Sequence, residues 1–430
     1  MFTTFPSAPP TDADVARYAI EGAGTPAFIA RPTTTADVAA AVRWAVENEL
    51  SLSIRSGGHG ASISPNEGGL VVDLAGLAAI DVLEEGFVRI GPGARWGDVA
   101  TTLQTHGLGL TSGDTKHVGV GGLTLGGGFG WLVRQYGLTL DCLESVEIVT
   151  ADGRILTASE AENTELFWAV RGGGGNFGIA TSLLFRAHPL PGIVGGSISF
   201  PRDRFAEVLT GWRDVMRIAP ETLNATILAM PGMGPDAPPT LDVVVCYGGN
   251  DETEAMAAIQ PLLDLPGSTG NTIAPMNYVD LLMDYEEQTE PMPFVITGDN
   301  GFAPDFTGDI IASLAAARDD LTMQMIRYVR GAFNRVPADA TAFAHRDAEV
   351  LVIAYAFLPG DATPDDSARI GAIWAGIPGL SGSYGNFLPV TSEKAVAAMY
   401  PPQTAARLAA AKREWDPENL FRHNHNVLPD

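Results

Sequence analysis

A histidine framed by glycines is the residue of this sequence best suited to covalent chemistry. It belongs to a short run that reads Arg55, Ser56, Gly57, Gly58, His59 and Gly60. Neutral imidazole is a competent nucleophile, so a covalent link to a cofactor is within its chemistry. A lone histidine is more often structural, but glycine neighbours leave the ring little to pack against. We therefore expect His59 to face a ligand.

Two more glycine clusters follow, at residues 113–130 and 171–178. Glycine lets successive backbone N–H groups converge on an anion and lets the backbone approach a flat ligand closely. Tight turns between strands are the alternative for any one cluster. Three long clusters within residues 55–178 instead favour a cofactor that carries a diphosphate.

Three common cofactor and metal motifs are excluded, one by its context and two by their absence. Gly173, Gly175 and Gly178 match G-x-G-x-x-G, but that dinucleotide fingerprint must follow a strand and open a helix. Here it follows a helical pattern at 162–170 and precedes a β-type run at 178–190. Neither a P-loop nor an H-E-x-x-H motif occurs in the chain.

The strand and helix patterns that surround the glycine clusters predict an α+β fold. In residues 28–50, Pro32 ends an extended stretch, and Val38, Val42, Ala45 and Val46 mark the apolar face of a helix. From there to about 190, short β-type runs alternate with helical patterns at 96–107 and 162–170.

Residues 191–390 form a second region of alternating strand and helix patterns. Residues 204–218 and a segment from Glu252 predict helices, and the β-type runs are 197–200, 226–230, 241–249, 323–331 and 350–357. Residues 391–430 return to polar helix, and Asp416-Pro417 ends one element.

Composition narrows the class of partner. The chain has 430 residues, with 26 basic and 51 acidic side chains and a net charge of −25. Only three of the basic residues are lysines, so nucleic acid and anionic membranes are poor partners. Two cysteines provide neither a disulfide framework nor a thiolate metal site unaided. With no long apolar run and no signal-like start, we expect a cytoplasmic protein.

The chained motifs resemble the berberine-bridge-enzyme-like FAD-linked oxidases of the vanillyl-alcohol-oxidase group. The resemblance extends from about Pro32 to Pro429 and includes ELFWAVRGGGGNFGI and the tail KREWDPENLFRHNHNVLP. It implies a PCMH-type FAD-binding domain built from 1–190 and 391–430. The intervening residues 191–390 would form a substrate domain whose antiparallel sheet covers the isoalloxazine.

The resemblance also implies roles for individual residues. His59 would bond covalently to the flavin 8α-methyl, and Ser56, Gly57, Gly58 and Gly60 would bind the pyrophosphate. The remaining implied FAD contacts are Arg55, Gly113, Asp114, Thr115, Val118, Gly119, Gly121, Gly122, Gly178, Ile179, Asn424 and Asn426.

The tail carries a further expectation of its own. Asn424 and Asn426 alternate with His423 and His425, so an extended strand would place both asparagines on one face, towards the flavin. A frayed surface tail is the alternative.

One departure from the family pattern concerns the second flavin bond. Many members use a Cys in C-x-x-V-G, and that position is Thr115 here. The resemblance therefore implies attachment through His59 alone, a somewhat lower flavin potential and a less open pocket. Large alkaloids or oligosaccharides become less favoured substrates. Val118 would admit O₂ to the flavin, against the alternative of ordinary strand packing.

Hydride removal from an alcohol needs a base near its O–H proton. The segment Ser383-Tyr384-Gly385-Asn386-Phe387 resembles the Y-x-N-[YF] segment of the family, so Tyr384 is our candidate base or substrate-orienting donor. His117 is the alternative base, and a tyrosine merely packed on a sheet is the structural explanation.

The expected function is oxidation of a small-molecule alcohol or amine, with O₂ reduced to H₂O₂. The alternatives are a dehydrogenase with another electron acceptor and a flavin-binding protein without catalysis.

Overall fold

A computed structural model describes residues 7–8, 11–14, 17, 24–60, 66–232, 238–284 and 293–429. The helices are α1 (Thr35–Glu47), α2 (Trp96–Gln104), α3 (Val120–Gly126), α4 (Val133–Tyr136), α5 (Thr164–Val170), α6 (Phe205–Ile218), α7 (Glu252–Leu263), α8 (Tyr278–Leu281), α9 (Gly308–Ala316), α10 (Ala332–Arg335), α11 (Pro364–Ala375), α12 (Glu393–Met399) and α13 (Pro402–Trp415). The strands are β1 (Ser7–Ala8), β2 (Phe28–Ala30), β3 (Leu52–Arg55), β4 (Leu70–Asp73), β5 (Ile80–Val82), β6 (Phe87–Ile90), β7 (Leu108–Gly109), β8 (Leu143–Val149), β9 (Ile155–Ser159), β10 (Ile179–Arg186), β11 (His188–Pro189), β12 (Ile193–Ser199), β13 (Leu223–Met230), β14 (Thr240–Tyr247), β15 (Gly270–Asn271), β16 (Ala274–Met276), β17 (Phe294–Ala303), β18 (Met323–Tyr328) and β19 (Val350–Pro359). The predicted α+β class is confirmed.

The N-terminal sheet has the order β1-β2-β4-β3, with β2, β4 and β3 parallel. Helix α1 connects two of its strands and begins at a capping box between Thr34 and Asp37, which satisfies donors of the first turn. Val38, Val42 and Ala45 are buried against the sheet, as predicted. Val46 is 52% exposed, so its place on the predicted face is wrong, because the contact stripe is narrower than the run of apolar residues.

A second, antiparallel sheet has the order β5-β6-β10-β8-β9. Its core includes Val88, Val146 and Leu183 and is covered by α2 and α5. The three glycine clusters lie in the connections around these two sheets, which is where the chain must turn sharply.

The largest sheet has eight strands in the order β15-β12-β14-β13-β18-β19-β17, with β16 paired to β12. Alternate residues of each strand point to opposite faces. One face packs against α6, α7, α9 and α11 around Trp212. The other, which we call the inner face, carries Phe302, Met325 and Leu351 and packs against residues 129–140. The domain boundaries at 190 and 390 stay a prediction.

A buried ion pair joins the C-terminal helix to the third glycine cluster. Lys412 and Asp416 are both fully buried, with Nζ 2.7 Å from Oδ2. Lys412 Nζ also donates to the carbonyls of Asn176 (2.8 Å) and Phe421 (2.9 Å), while Asp416 accepts from the Leu420 and Phe421 N–H groups. Burial lowers the pKa of Lys412, and Asp416 opposes that shift. All three ammonium donors are therefore used within the protein.

Replacing this lysine should destabilise the whole C-terminal region. Lys412→Met leaves the Asp416 carboxylate buried without its cation, so we expect the free energy of unfolding to fall by about 3–5 kcal/mol. Urea denaturation followed by tryptophan fluorescence measures this change. Lys394→Met, at an exposed position, is the matched control. Equal denaturation midpoints for the two variants would contradict the role given to Lys412.

Candidate cofactor and active site

The first two glycine clusters pack directly against each other. A Cβ atom built on Gly57 would lie 2.2 Å from the Gly119 nitrogen, and one built on Gly119 would lie 2.3 Å from the Gly57 nitrogen. The Ser56 hydroxyl and the Gly121 N–H both donate to the carbonyl of Pro92, the latter at 3.0 Å. Only glycine permits this approach of two backbones.

The first cluster leaves its histidine at the surface. Strand β3 ends at Arg55, which is buried and lies 3.6 Å from the Asp73 carboxylate in the adjacent strand. Gly58 has a left-handed φ of 72°, and His59 and Gly60 are exposed. The chain thus turns out of the sheet and presents His59 outward, while the charge of Arg55 is matched inside.

The third cluster is joined to the C-terminal tail by Asn176. Its buried amide nitrogen donates to the carbonyls of Gly173 (2.8 Å) and His425 (3.1 Å), and its oxygen accepts from the Val427 N–H (3.0 Å). Residues 174–176 also pack against α3 of the second cluster. Asn176 is not among the residues predicted from the sequence, although its place at the end of a glycine run was a signal.

The tail is not the predicted extended strand. Residues 423–425 form a bend, because Asn176 holds the backbone on both sides of Asn426. The two histidines bind different parts of the fold: His423 bonds Ser51, and His425 Nε2 lies 2.9 Å from the Gly385 carbonyl. The division of the tail side chains into two faces stays a prediction.

Asn424 and Asn426 both have unmet hydrogen-bonding capacity. The side-chain oxygen of each is buried and has no hydrogen-bond partner among the residues that the structure describes. Nearby, a Cβ built on Gly175 would have the Asn424 amide nitrogen as its nearest neighbour, at 3.9 Å, and one built on Gly122 would meet nothing within 4 Å. Two orphaned oxygens beside glycine backbones that face open space fit a flat, hydrogen-bonding cofactor such as a flavin.

Other predicted contacts have a packing role in the structure. A Cβ on Gly178 would lie 2.6 Å from the Val149 carbonyl, one on Gly113 would lie 2.6 Å from Leu123 Cδ1, and Ile179 is buried in the core of the parallel sheet. These positions shape the backbone around the site, and their contact with a cofactor stays a prediction.

The segment carrying Thr115 is bridged to residues that follow α8. Thr115 is buried and forms a parallel β-bridge with Met283, whose N–H donates to the Asp114 carbonyl at 2.7 Å. Val118 is partly buried against the core of the antiparallel sheet. Residues 114–118 are therefore held by Met283 on one side and by the core of the antiparallel sheet on the other.

His117 lies at the surface, beside Asp284. Its Nε2 is 2.9 Å from Asp284, its side chain is 38% exposed, and Lys116 contacts the same carboxylate at 3.0 Å. These two contacts lower the pKa of Asp284. The structure thus gives His117 a surface acid as partner and does not bring it to Tyr384.

Tyr384 lies in an aromatic cluster where the inner face meets the second glycine cluster. Its ring centroid is 4.9 Å from that of Phe129, and its hydroxyl oxygen accepts from the Gly128 N–H (2.9 Å) and from Asn386 Nδ2 (2.7 Å). The amide of Asn300 binds the Tyr384 backbone through both its oxygen and its nitrogen. Burial raises the pKa of Tyr384 to about 12 despite these hydrogen bonds.

Comparison with known proteins agrees with this geometry. Residues 26–159 match the model of an FAD binding domain, and residues 383–428 match the berberine and berberine-like model. The (R)-6-hydroxynicotine oxidase of Paenarthrobacter nicotinovorans is 32% identical over 94% of this chain and 92% of its own. The chain belongs to the berberine-bridge-like family of FAD-linked oxidoreductases.

Solved structures extend the similarity to the whole fold. The 6-hydroxy-D-nicotine oxidase from Arthrobacter nicotinovorans superposes with a TM-score of 0.86 at 28% identity, covering 100% of both chains. A glucooligosaccharide oxidase from Acremonium strictum with 6-S-cysteinyl, 8α-N1-histidyl FAD has a TM-score of 0.82 at 24% identity, over 98% of this chain and 97% of that one, a likeness of fold alone. Within the described residues of this FAD-linked oxidoreductase, no helix combines the length and apolar character that a membrane span requires.

Filling the open space at the second cluster should exclude FAD without unfolding the protein. Gly122 is exposed in α3, so Gly122→Leu adds a side chain that meets no protein atom at its Cβ. We expect flavin per protein to fall at least about fivefold, with the melting temperature of the flavin-free protein unchanged. Gly371→Leu, also exposed and helical, is the control. Full FAD loading of Gly122→Leu would place the cofactor elsewhere.

Proposed function

We propose that this FAD-linked oxidoreductase is an oxidase that carries FAD on His59 alone and oxidises an alcohol or amine carbon of a small molecule. The observation that carries the proposal is the joining of three glycine clusters and the tail beside two buried, unpartnered asparagine oxygens. When bound, FAD accepts the hydride from that carbon and O₂ takes up the two electrons, giving H₂O₂.

Attachment through His59 alone is supported by both candidate positions. His59 follows a strand end on a glycine loop and is exposed, so its ring can reach a bound group. Thr115 offers a hydroxyl, which is a far weaker nucleophile than the cysteine thiol of relatives with two flavin bonds. Ser56, Gly57, Gly58 and Gly60 lie in the same loop as His59, so we propose that they contact the same FAD.

For Tyr384 the contacts support substrate orientation over proton abstraction. Both acceptor positions of its hydroxyl are filled by N–H donors, so its own hydrogen is left to donate. With a pKa of about 12, its phenolate is scarce at neutral pH. A neutral amine can release a hydride without losing a proton first, so an amine suits this site better than an alcohol.

The experiment that tests the proposed function is anaerobic mixing of the flavin-loaded protein with secondary amines, sugars and benzylic alcohols. Bleaching of the flavin identifies the substrate class, and O₂ uptake with H₂O₂ formation on re-aeration identifies an oxidase. Bleaching followed by slow reaction with O₂ would indicate a dehydrogenase, and would contradict the access to O₂ proposed at Val118. No bleaching with any of them would contradict the proposed catalysis.

The covalent link is tested by acid precipitation. We expect the precipitate to stay yellow, with one flavin on the peptide that contains His59, because acid releases only non-covalent FAD. His59→Ala should release its flavin into the supernatant, whereas His106→Ala, at an exposed histidine in the turn after α2, should not. Yellow precipitate from His59→Ala would show that another residue holds the cofactor.

Removing one hydroxyl tests the role of Tyr384. We expect Tyr384→Phe to lower the rate of anaerobic flavin reduction by about 10²-fold while FAD stays attached, because the substrate loses its hydrogen-bond donor. Tyr400→Phe is the matched control, since Tyr400 is also buried and donates to the Gly172 carbonyl. Rates within a few-fold of wild type in both variants would remove Tyr384 from the reaction.

A further inference from the structure

Four buried polar side chains form a cluster between the inner face and the second glycine cluster. They are Asn224, Thr226 and Arg327 of the sheet, each at most 1% exposed, and Asp114, 6% exposed. Each retains polar atoms with no hydrogen-bond partner in the described part of the chain: both amide atoms of Asn224, the Thr226 hydroxyl, Arg327 Nε and Nη1, and Asp114 Oδ1. Such a concentration of unmet hydrogen-bonding groups is unusual in a folded protein.

Sheet register places these groups side by side. Thr226 and Arg327 are directly opposite on β13 and β18, and Asn224 is two residues along β13 on the same face. Arg327 Nη2 forms an ion pair with Asp114 Oδ2, and the guanidinium lies 5.2 Å from the ring centroid of Trp131. The cluster therefore spans the junction of the sheet with the loop that carries Thr115.

The charges of the cluster define what it can bind. Arg327 and Asp114 neutralise each other, so neither an anion nor a cation is needed for balance. The pair retains donors at Nε and Nη1 beside an acceptor at Oδ1, and Asn224 and Thr226 each offer both functions. The complement is a neutral group with a donor and an acceptor side by side. A carboxylate would meet Asp114, and an ammonium would meet Arg327.

We propose that Asn224, Thr226, Arg327 and Asp114 bind the polar end of the substrate through a neutral donor–acceptor group, an amide or a hydroxyl. This assignment rests on the proposed function, because it places the cluster beside the flavin loop of an oxidase. Met325, on the same strand face, adjoins Arg327, with its Sδ 3.7 Å from Nη2. Methionine side chains are unbranched and adaptable, so this wall can rearrange to admit the group.

Three ligands of one shape and different charge test the proposal. Benzamide, benzoate and benzamidine are neutral, anionic and cationic, and none carries a hydrogen on its functional carbon that the enzyme could remove. We expect benzamide to bind the flavin-loaded protein at least about tenfold more tightly than the other two. Binding is measured from the change in flavin absorbance and from the shift in melting temperature. Equal binding, or none, would overturn the proposal and indicate a cluster that holds only water.

Two variants connect the preference to the cluster. Asp114→Asn leaves the charge of Arg327 unmatched, so it should reverse the preference towards benzoate. Thr226→Val should weaken benzamide binding about fivefold without lowering the melting temperature, because the Thr226 hydroxyl has no hydrogen-bond partner among the described residues. Thr240→Val, at the exposed start of β14, should change neither. A lower melting temperature for Thr226→Val with unchanged benzamide binding would assign the hydroxyl to the fold instead.

Failure of the proposed function would give a different result. Loss of FAD on acid treatment of the wild-type protein bears on the link to His59. The preference among the three ligands is read independently from melting temperatures. A preference without covalent FAD would keep the binding cluster and reject the linkage, whereas covalent FAD without a preference would do the reverse.

Discussion

The ammonium group of Lys412 is the point on which the candidate site depends. Its three donors reach Asp416, the third glycine cluster at Asn176 and the tail at Phe421, so one side chain connects segments more than 230 residues apart in the chain. A buried charge is costly unless its hydrogen bonds are all made, and this one is fully paired. The Asp416 carboxylate also accepts hydrogen bonds from the Leu420 and Phe421 N–H groups. These bonds fix the direction in which the tail leaves α13.

The two faces of the eight-stranded sheet carry different kinds of residues. One face carries the apolar residues that pack on four helices and stabilise the fold. The inner face carries Asn300, which binds the backbone of Tyr384, and Arg327, which pairs with Asp114 but keeps two nitrogen atoms with no partner among the described residues. Because strand periodicity places alternate residues on opposite faces, polar groups can be concentrated beside the second glycine cluster without weakening the main core.

Local signals predicted much of this arrangement. Glycine clusters marked the turns of the site, and β13, β14, β18, β19, α6 and α7 coincide with periodic runs in the sequence. Strand β17 was missed, because its last seven residues read TGDNGFA and lack the apolar alternation of a strand. Lys412 and Asp416 resemble a solvent-exposed i,i+4 pair in sequence, and only the chain folding over them makes them buried. Contacts such as Asp114 with Arg327, 213 residues apart, have no local signal at all.

We propose that the glycine clusters and the tail act as one site for FAD. Hydrogen–deuterium exchange tests this by comparing the flavin-loaded protein with the flavin-free protein. We expect backbone amides in 57–60, 119–122, 174–176 and 421–427 all to exchange more slowly when FAD is bound, because all four segments would then contact the cofactor. Slower exchange in the glycine clusters with an unchanged rate in 421–427 would contradict it and would leave the tail outside the site.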